Sequence, residues 1–156
     1  MKSIIREIHQ KLVSGQITSR EIVLEKIALL RNNEYNSVNL LLDEYAIDLA
    51  DKVDEKIKSG KPIGLLEGIP FGINDTILLQ GSISSGSSNF LKNYTAPYTA
   101  TAIKKLIEAG AIPIVKESGL IWSWQYKRLR SKCCKRKHCF FHKQQFGFFP
   151  AVERHL

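Results

Sequence analysis

The densest set of chemically reactive side chains lies in residues 133–142. This segment contains three cysteines and two histidines: Cys133, Cys134, Cys139, His138 and His142. Thiolates and imidazoles are ligands that zinc prefers. The adjacent cysteines and the adjacent His-Cys pair lack the gaps of about two to four residues that zinc motifs use, so the pattern favours free thiols. The sequence therefore predicts no metal site and no cofactor held by this chain.

A second set of reactive side chains lies in the Gly/Ser-rich segment 81–89. Ser84, Ser85, Ser87 and Ser88 carry hydroxyls, but a serine nucleophile needs a base within hydrogen-bond reach, and no neighbouring residue suggests one. The glycines do not form a phosphate-binding loop, because the Gly-Lys-Ser/Thr ending is absent. We interpret the segment as a structural loop.

The 156 residues divide into two regions of different composition near Ser118. The first 118 residues carry 14 basic and 14 acidic side chains, whereas residues 119–156 carry nine basic side chains and one acidic one. The whole net charge of +8 therefore lies in the second region. With its tryptophans and phenylalanines, this region could bind single-stranded nucleic acid by charge and stacking, and this alternative stays open.

The overall composition indicates a folded protein of the cytoplasm. A hydrophobic content of 44% suffices for a buried core and excludes a disordered chain. No apolar run is long enough for a membrane span or a signal peptide.

The apolar periodicity predicts four amphipathic helices. The first runs from Ser3 to Gly15, the second begins at a capping box formed by Thr18 and Glu21, the third runs from about Asp43 to Lys58, and the fourth is capped by Thr99 or Thr101 and ends before Gly110. His9 lies on the polar side of the first helix, and we interpret it as a surface histidine without a role. The charged outer face of the third helix is expected to lie in solvent.

Two segments predict strands. Residues 65–75 combine short apolar runs with glycines and a proline, which excludes a helix and is typical of a strand that another backbone approaches closely. Residues 111–115 form a short apolar run typical of a buried strand. We predict an α/β domain over residues 1–117, with N-terminal helices that lead into the first strands of a sheet, and a basic tail without a defined fold over 118–156.

Three ordered segments carry a resemblance to a known family: 15–21 (Gly-Gln-Ile-Thr-Ser-Arg-Glu), 66–75 (Leu-Glu-Gly-Ile-Pro-Phe-Gly-Ile-Asn-Asp) and 109–117 (Ala-Gly-Ala-Ile-Pro-Ile-Val-Lys-Glu). Together they resemble the amidase signature family over residues 1–117. Residues 99–103 and the helix after them are most similar to the branch of A subunits of glutamyl-tRNA(Gln) amidotransferases. The resemblance implies part of an amidase-signature fold, a mixed β-sheet with helices on both sides.

The resemblance also implies an activity and partners. Such A subunits hydrolyse the amide of glutamine with a serine nucleophile, a bridging serine and a lysine base, and they pass ammonia on for the conversion of Glu-tRNA(Gln) to Gln-tRNA(Gln). The expected partners are the B and C subunits, with Glu-tRNA(Gln) bound through the complex. ATP and Mg²⁺ are expected on a partner of the family complex and not in this chain.

The sequence departs from the family pattern at two places. The family's lysine base follows Gly-Ile in the second segment, where this chain has Asn74. An amide accepts no proton near neutral pH, so Asn74 predicts the loss of most activity. After Glu117 the family segment with the bridging serine and the nucleophile is missing. We therefore expect an inactive, truncated member of this branch, encoded by a pseudogene; the alternatives are a fragment of a stand-alone amidase and a nucleic-acid-binding module.

The genetic code offers a reason for the second departure. Read one base downstream, the codons of residues 119–125 can encode Asp-Ser-Phe-Gly-His-Gly-Ser, the missing family segment. In the same frame, residues 129–131 can give Phe-Gly-Ala and residues 147–149 can give Gly-Ser-Ser. We therefore predict that the chain from about Ser118 onward is an out-of-frame translation.

Overall fold

The computed structural model describes residues 3–32 and 37–118. The helices are α1 (Ile4–Val13), α2 (Ser19–Arg31), α3 (Asp43–Lys58) and α4 (Thr101–Glu108), and the strands are β1 (Val38–Leu41), β2 (Pro70–Asn74) and β3 (Ile112–Glu117). A short 3-10 turn covers Asn89–Leu91. The four predicted helices and both predicted strands are present, whereas β1 was not predicted. No helix of the described residues is long and apolar enough to cross a bilayer.

The two predicted helix caps had different outcomes. At the start of α2, the Glu21 amide donates to the Thr18 hydroxyl and the Glu21 carboxylate accepts from the Thr18 amide, which is the predicted capping box. The predicted cap of α4 was wrong. Ala100 precedes α4 without a side-chain cap, because the Thr99 hydroxyl instead accepts a hydrogen bond of 3.0 Å from the Gln80 amide.

A mixed three-stranded sheet has β3 at its centre, in the order β1-β3-β2. β1 is antiparallel to β3, and β2 is parallel to it. The first five residues of β3 are buried, as expected for a central strand covered on both faces. The mixed α/β architecture implied by the resemblance is therefore confirmed.

Helices α2 and α3 pack on β3 through the largest apolar cluster. It consists of Val23, Ile27, Ala46, Ala50, Ile112, Ile114 and Val115. A second cluster joins α1 and α2 to the start of β2, and a third joins α4 to β2 through Ile73, Leu79 and Ile103. These contacts fix β2 and β3 relative to each other and to the helices.

A buried carboxylate ties α2 to α3. Asp54 of α3 accepts hydrogen bonds of 2.7 and 3.0 Å from the backbone amides of Ser19 and Arg20, in the first turn of α2. A negative charge at a helix N-terminus satisfies amides that have no partner within the helix. Gly68 turns the chain into β2 with φ +81°, and a Cβ there would lie 3.1 Å from both Leu12 and Ser19. Only glycine fits this turn without strain.

Candidate functional site

The candidate site lies at the carboxyl ends of β2 and β3. Asn74, the last residue of β2, is paired in the parallel register with Glu117, the last residue of β3. Ligands of open α/β sheets bind beyond the carboxyl ends of parallel strands. Because side chains alternate along a strand, Asn74 and Glu117 share one face, and Ile73 and Lys116 share the other.

Asn74 is exposed and its side chain folds back on the chain. Its Oδ1 accepts hydrogen bonds from the Thr76 amide (3.0 Å) and the Thr76 hydroxyl (2.8 Å), which forms an Asx turn. The structure thus places an amide, which is no base, at the end of the strand where the resemblance implies a lysine. The consequence for activity stays a prediction.

The next residue, Asp75, is the centre of a buried polar cluster. Its side chain is 1% exposed, and its Oδ1 lies 3.7 Å from the Nζ of Lys116, which is fully buried. The Asp75 Oδ2 accepts hydrogen bonds from Asn39 of β1 (2.7 Å) and from the Ser85 hydroxyl (2.6 Å). Asp75 therefore joins β1, β3 and the Gly/Ser-rich loop to the end of β2.

Lys116 of β3 also binds the Gly/Ser-rich loop and the residues just before it. Its Nζ donates to the Ile77 carbonyl (2.5 Å) and to the Ser84 hydroxyl (2.9 Å). Burial lowers the pKa of Lys116, although the neighbouring carboxylate of Asp75 opposes that shift. A buried charge of this kind is tolerated only when it is paired and hydrogen-bonded, so the cluster depends on both partners.

The contact between Ser84 and Lys116 changes one interpretation from the sequence. No base was expected near the serines, yet the lysine lies at 2.9 Å, contributed by a strand 32 residues further along the chain. Ser84 is only 4% exposed, and the lysine also donates to a carbonyl, so the contact anchors the loop. The interpretation of 81–89 as a structural loop therefore stands. The feature of the sequence that could have indicated this contact is Lys116, a lysine at the end of the apolar strand β3.

Glu117 lies beside Asn74 without a partner of opposite charge among the described residues. The Glu117 carboxylate lies directly over Gly72. A Cβ atom added to Gly72 would lie 2.1 Å from the Oε1 atom of Glu117. Burial raises the pKa of Glu117. Gly72 thus leaves room for a carboxyl group at the position that faces residue 74. No pattern in the sequence singles out Glu117, because the surroundings of this side chain depend on the register between β2 and β3.

Comparisons with known proteins identify the family and the fold. The sequence model of the family described as Amidase matches residues 21–121. The chain belongs to the amidase family. The A subunit of glutamyl-tRNA(Gln) amidotransferase from Endomicrobium trichonymphae is 37% identical over 114 residues, 72% of this amidase chain and 24% of the relative. Its counterpart from Fusobacterium nucleatum is 40% identical over 112 residues, 70% of this chain and 23% of the relative.

Solved amidase structures share the fold. A bacterial aryl acylamidase of the amidase signature family has a TM-score of 0.68 at 24% identity, covering 74% of this chain and 25% of that one. The peptide amidase of Stenotrophomonas maltophilia has a TM-score of 0.66 at 24% identity, covering 74% and 24%. This amidase chain spans about a quarter of the length of the relatives that it matches.

Outside the strand ends and the Gly/Ser-rich loop, only His9 of the candidate functional residues singled out from the sequence is described by the structure. The cysteines and histidines of 133–142, and the whole tail from Gly119, lie outside the described residues of this amidase chain. His9 is half-buried and not on the open surface, and its Nδ1 makes no hydrogen bond with another described residue.

Proposed function

We propose that residues 3–118 correspond to the first part of an A subunit of a glutamyl-tRNA(Gln) amidotransferase, and that this chain does not hydrolyse amides by the family's lysine-dependent route. The identities of 35–40% to such subunits support this branch over stand-alone amidases. The fold likenesses at 24% identity or below support the architecture and not a substrate.

One observation carries the proposal of inactivity. Asn74 ends β2 at the position where the resemblance implies the family's base, and its carbonyl oxygen accepts hydrogen bonds from Thr76. General-base catalysis contributes roughly 10²–10⁴-fold to a rate. Lys116 does not replace the missing base, because it points to the opposite face and is buried against Asp75.

The proposed branch brings proposed partners and a place of action. The B and C subunits would bind the chain in the cytoplasm, Glu-tRNA(Gln) would be reached through the complex, and ATP with Mg²⁺ would act on a partner of the complex. None of these partners is needed to explain the fold of the described residues.

The tail is proposed to be an out-of-frame translation. The family match ends at residue 121, close to the change of composition near Ser118. The nucleotide sequence across codons 116–156 tests this directly. We expect the frame one base downstream to encode Asp-Ser-Phe-Gly-His-Gly-Ser opposite residues 119–125. A gene without that segment in any frame would refute the proposal and would make the basic tail a genuine part of the protein.

A substitution in an active relative tests the role assigned to position 74. In the Fusobacterium nucleatum relative, assembled with B and C subunits, the lysine that the resemblance implies at the position of Asn74 is changed to asparagine, and ammonia release from glutamine is measured. We expect a loss of at least about 100-fold while the complex still forms. A loss of less than tenfold would remove the basis for inactivity. The matched control changes the residue at the position of the exposed Leu29, on α2, to alanine.

A further inference from the structure

A carboxyl group lies beside the strand position that the resemblance assigns to the base. Asn74 and Glu117 are register partners of the parallel strands β2 and β3, and their side chains lie on the same face of the sheet. Neighbouring strands lie about 4.8 Å apart, so a long side chain at position 74 has the Glu117 carboxyl group within reach. Lys116 lies on the other face, so Glu117 is the ionisable residue at the end of β3 that faces position 74.

The side chain of Glu117 lies across β2. Gly72, two residues before Asn74 on the same face, leaves the space that the carboxyl group fills. A Cβ atom added to Gly72 would lie 2.8 Å from the carboxyl carbon of Glu117 as well as 2.1 Å from its Oε1. Glu117 is half-buried in this position, whereas Asn74 is exposed. A side chain at position 74 and the Glu117 carboxyl group therefore share the surface over Gly72.

No charge of a described residue compensates the Glu117 carboxylate. Burial alone raises the pKa of Glu117, and no neighbouring cation lowers it. The neighbouring residue Lys116 is paired with Asp75 on the other face of the sheet. A cation introduced at position 74 would therefore meet a carboxylate that has no other partner among the described residues.

A lysine side chain would supply such a cation. It carries an ammonium group on a flexible four-carbon chain, and it must lose a proton before it can act as a base. An opposite charge within about 4–6 Å favours the charged form of an ionisable group. A carboxylate beside the ammonium group therefore opposes the deprotonation that makes a lysine a base.

We propose that Glu117 is a second obstacle to the lysine-dependent route, independent of Asn74: a lysine at position 74 would form an ion pair with the Glu117 carboxylate over Gly72 and stay charged. Restoring the lysine alone would therefore not restore a base. The inference rests on the proposed function, from which it takes the position of the base. The ion pair is measured in this chain without catalysis, whereas the exchange of lysine for asparagine in the Fusobacterium nucleatum relative tests the base, so the two proposals fail separately.

NMR titration of the full 156-residue chain, with carbon-labelled glutamate and lysine, tests the proposal. In Asn74→Lys, the pKa of Glu117 should fall by at least about 1 relative to the parent chain. The pKa of the introduced lysine should be at least about 1 higher in Asn74→Lys than in Asn74→Lys/Glu117→Gln. The control Leu65→Lys places the same charge at an exposed position before the opposite end of β2, and it should change the pKa of Glu117 by less than about 0.3.

Three results would overturn the proposal. The first is a Glu117 pKa that falls no further in Asn74→Lys than in Leu65→Lys, because only the net charge would then matter. The second is an introduced lysine with the same pKa with and without Glu117. The third is loss of the fold, by circular dichroism, in both Asn74→Lys and Asn74→Arg, because a cation at this exposed position should stabilise the chain. If only Asn74→Lys unfolds, the pKa of Glu117 in Asn74→Arg decides by the same criterion.

Discussion

Two regions of the fold hold their parts together by different means. Helices α2 and α3 pack on β3 through a cluster of aliphatic side chains, whereas the ends of β2 and β3 are joined to the Gly/Ser-rich loop by a buried ion pair and its hydrogen bonds. Aliphatic packing is non-directional and tolerates some rearrangement. When either partner of a buried ion pair is removed, the other charge stays buried without compensation, which is strongly destabilising. Among the described residues, the contacts beside the candidate site therefore depend on both partners of one ion pair, whereas the contacts between the helices and β3 are shared among many side chains.

The largest effect is expected when Asp75 is removed. Asp75→Ala leaves the Lys116 ammonium buried without its counter-ion, and a broken buried pair costs about 3–5 kcal/mol. Urea denaturation followed by circular dichroism measures the loss. The double variant Asp75→Ala/Lys116→Met should recover part of it, because no buried charge remains. A cost below about 1 kcal/mol for Asp75→Ala would show that the polar cluster does not hold this end of the sheet.

A core truncation probes the aliphatic region. Ile112→Ala removes a fully buried side chain between the helices and the sheet, and such changes cost about 2–5 kcal/mol. Differential scanning calorimetry measures the shift of the midpoint. The control is Leu29→Ala on the exposed face of α2, which should stay within about 0.5 kcal/mol. If both changes cost the same, the assignment of this cluster as the core is wrong.

A smaller effect is expected at the start of α2. Thr18→Ala removes the hydroxyl that accepts from the Glu21 amide, a loss of about 1 kcal/mol. Thr101→Ala in the first turn of α4 is the matched control, because that helix has no side-chain cap. Guanidinium unfolding of both variants at one pH tests the pair. Equal stability of Thr18→Ala and the parent chain would contradict the capping box.

The smallest effects are opposite pH dependences at two carboxylates. Burial raises the pKa of Glu117, so the folded state binds the proton of this carboxyl group more tightly than the unfolded state does. The protonated Glu117 therefore contributes to the free energy of unfolding at low pH. This contribution is lost as the pH rises from about 4.3, the ordinary pKa of glutamate, through the pKa of the folded state. Burial also raises the pKa of Glu67, but hydrogen bonds from Lys56 and the Gly64 amide outweigh it and lower the pKa overall. The ionised Glu67 therefore contributes to the free energy of unfolding, and this contribution is lost as the pH falls through the pKa of the folded state.

Urea midpoints at a series of pH values between about 3 and 7 separate the two. Relative to the parent, Glu117→Gln should gain stability as the pH rises through this range, and Glu67→Gln should lose it. Identical slopes for both variants would show that their surroundings do not differ as the structure indicates.

The sequence predicts features that follow from local patterns. Apolar spacing locates the four helices, and the Thr18 to Glu21 spacing identifies the capping box, because both depend on residues within one turn or a few turns. The short strand β1 escapes prediction, since four residues carry little periodicity and this strand is defined by its partner β3. The missed cap of α4 has a similar cause, because the Thr99 hydroxyl bonds to the amide of Gln80, 19 residues earlier.

The candidate site also contains some features that a local sequence pattern predicts and others that depend on which strands are neighbours. Asn74 is identified from the sequence, because the segment around it resembles a family motif. The Asp75 to Lys116 pair and the Ser84 contact require knowledge of which strands are neighbours, and the two charged residues are 41 positions apart along the chain. The space over Gly72 that admits the Glu117 carboxyl depends on the register between two strands, which no local pattern specifies.

The central claim is the proposal that this amidase chain, which has Asn74 where the resemblance implies the family's base, does not hydrolyse glutamine. Ammonia release from glutamine by the purified 156-residue chain, with and without added B and C subunits, tests it most directly when the chain is shown to be folded in the same sample. We predict a rate indistinguishable from the buffer blank, under conditions where the Fusobacterium nucleatum complex turns over. A rate within about 100-fold of that complex would contradict the proposed inactivity.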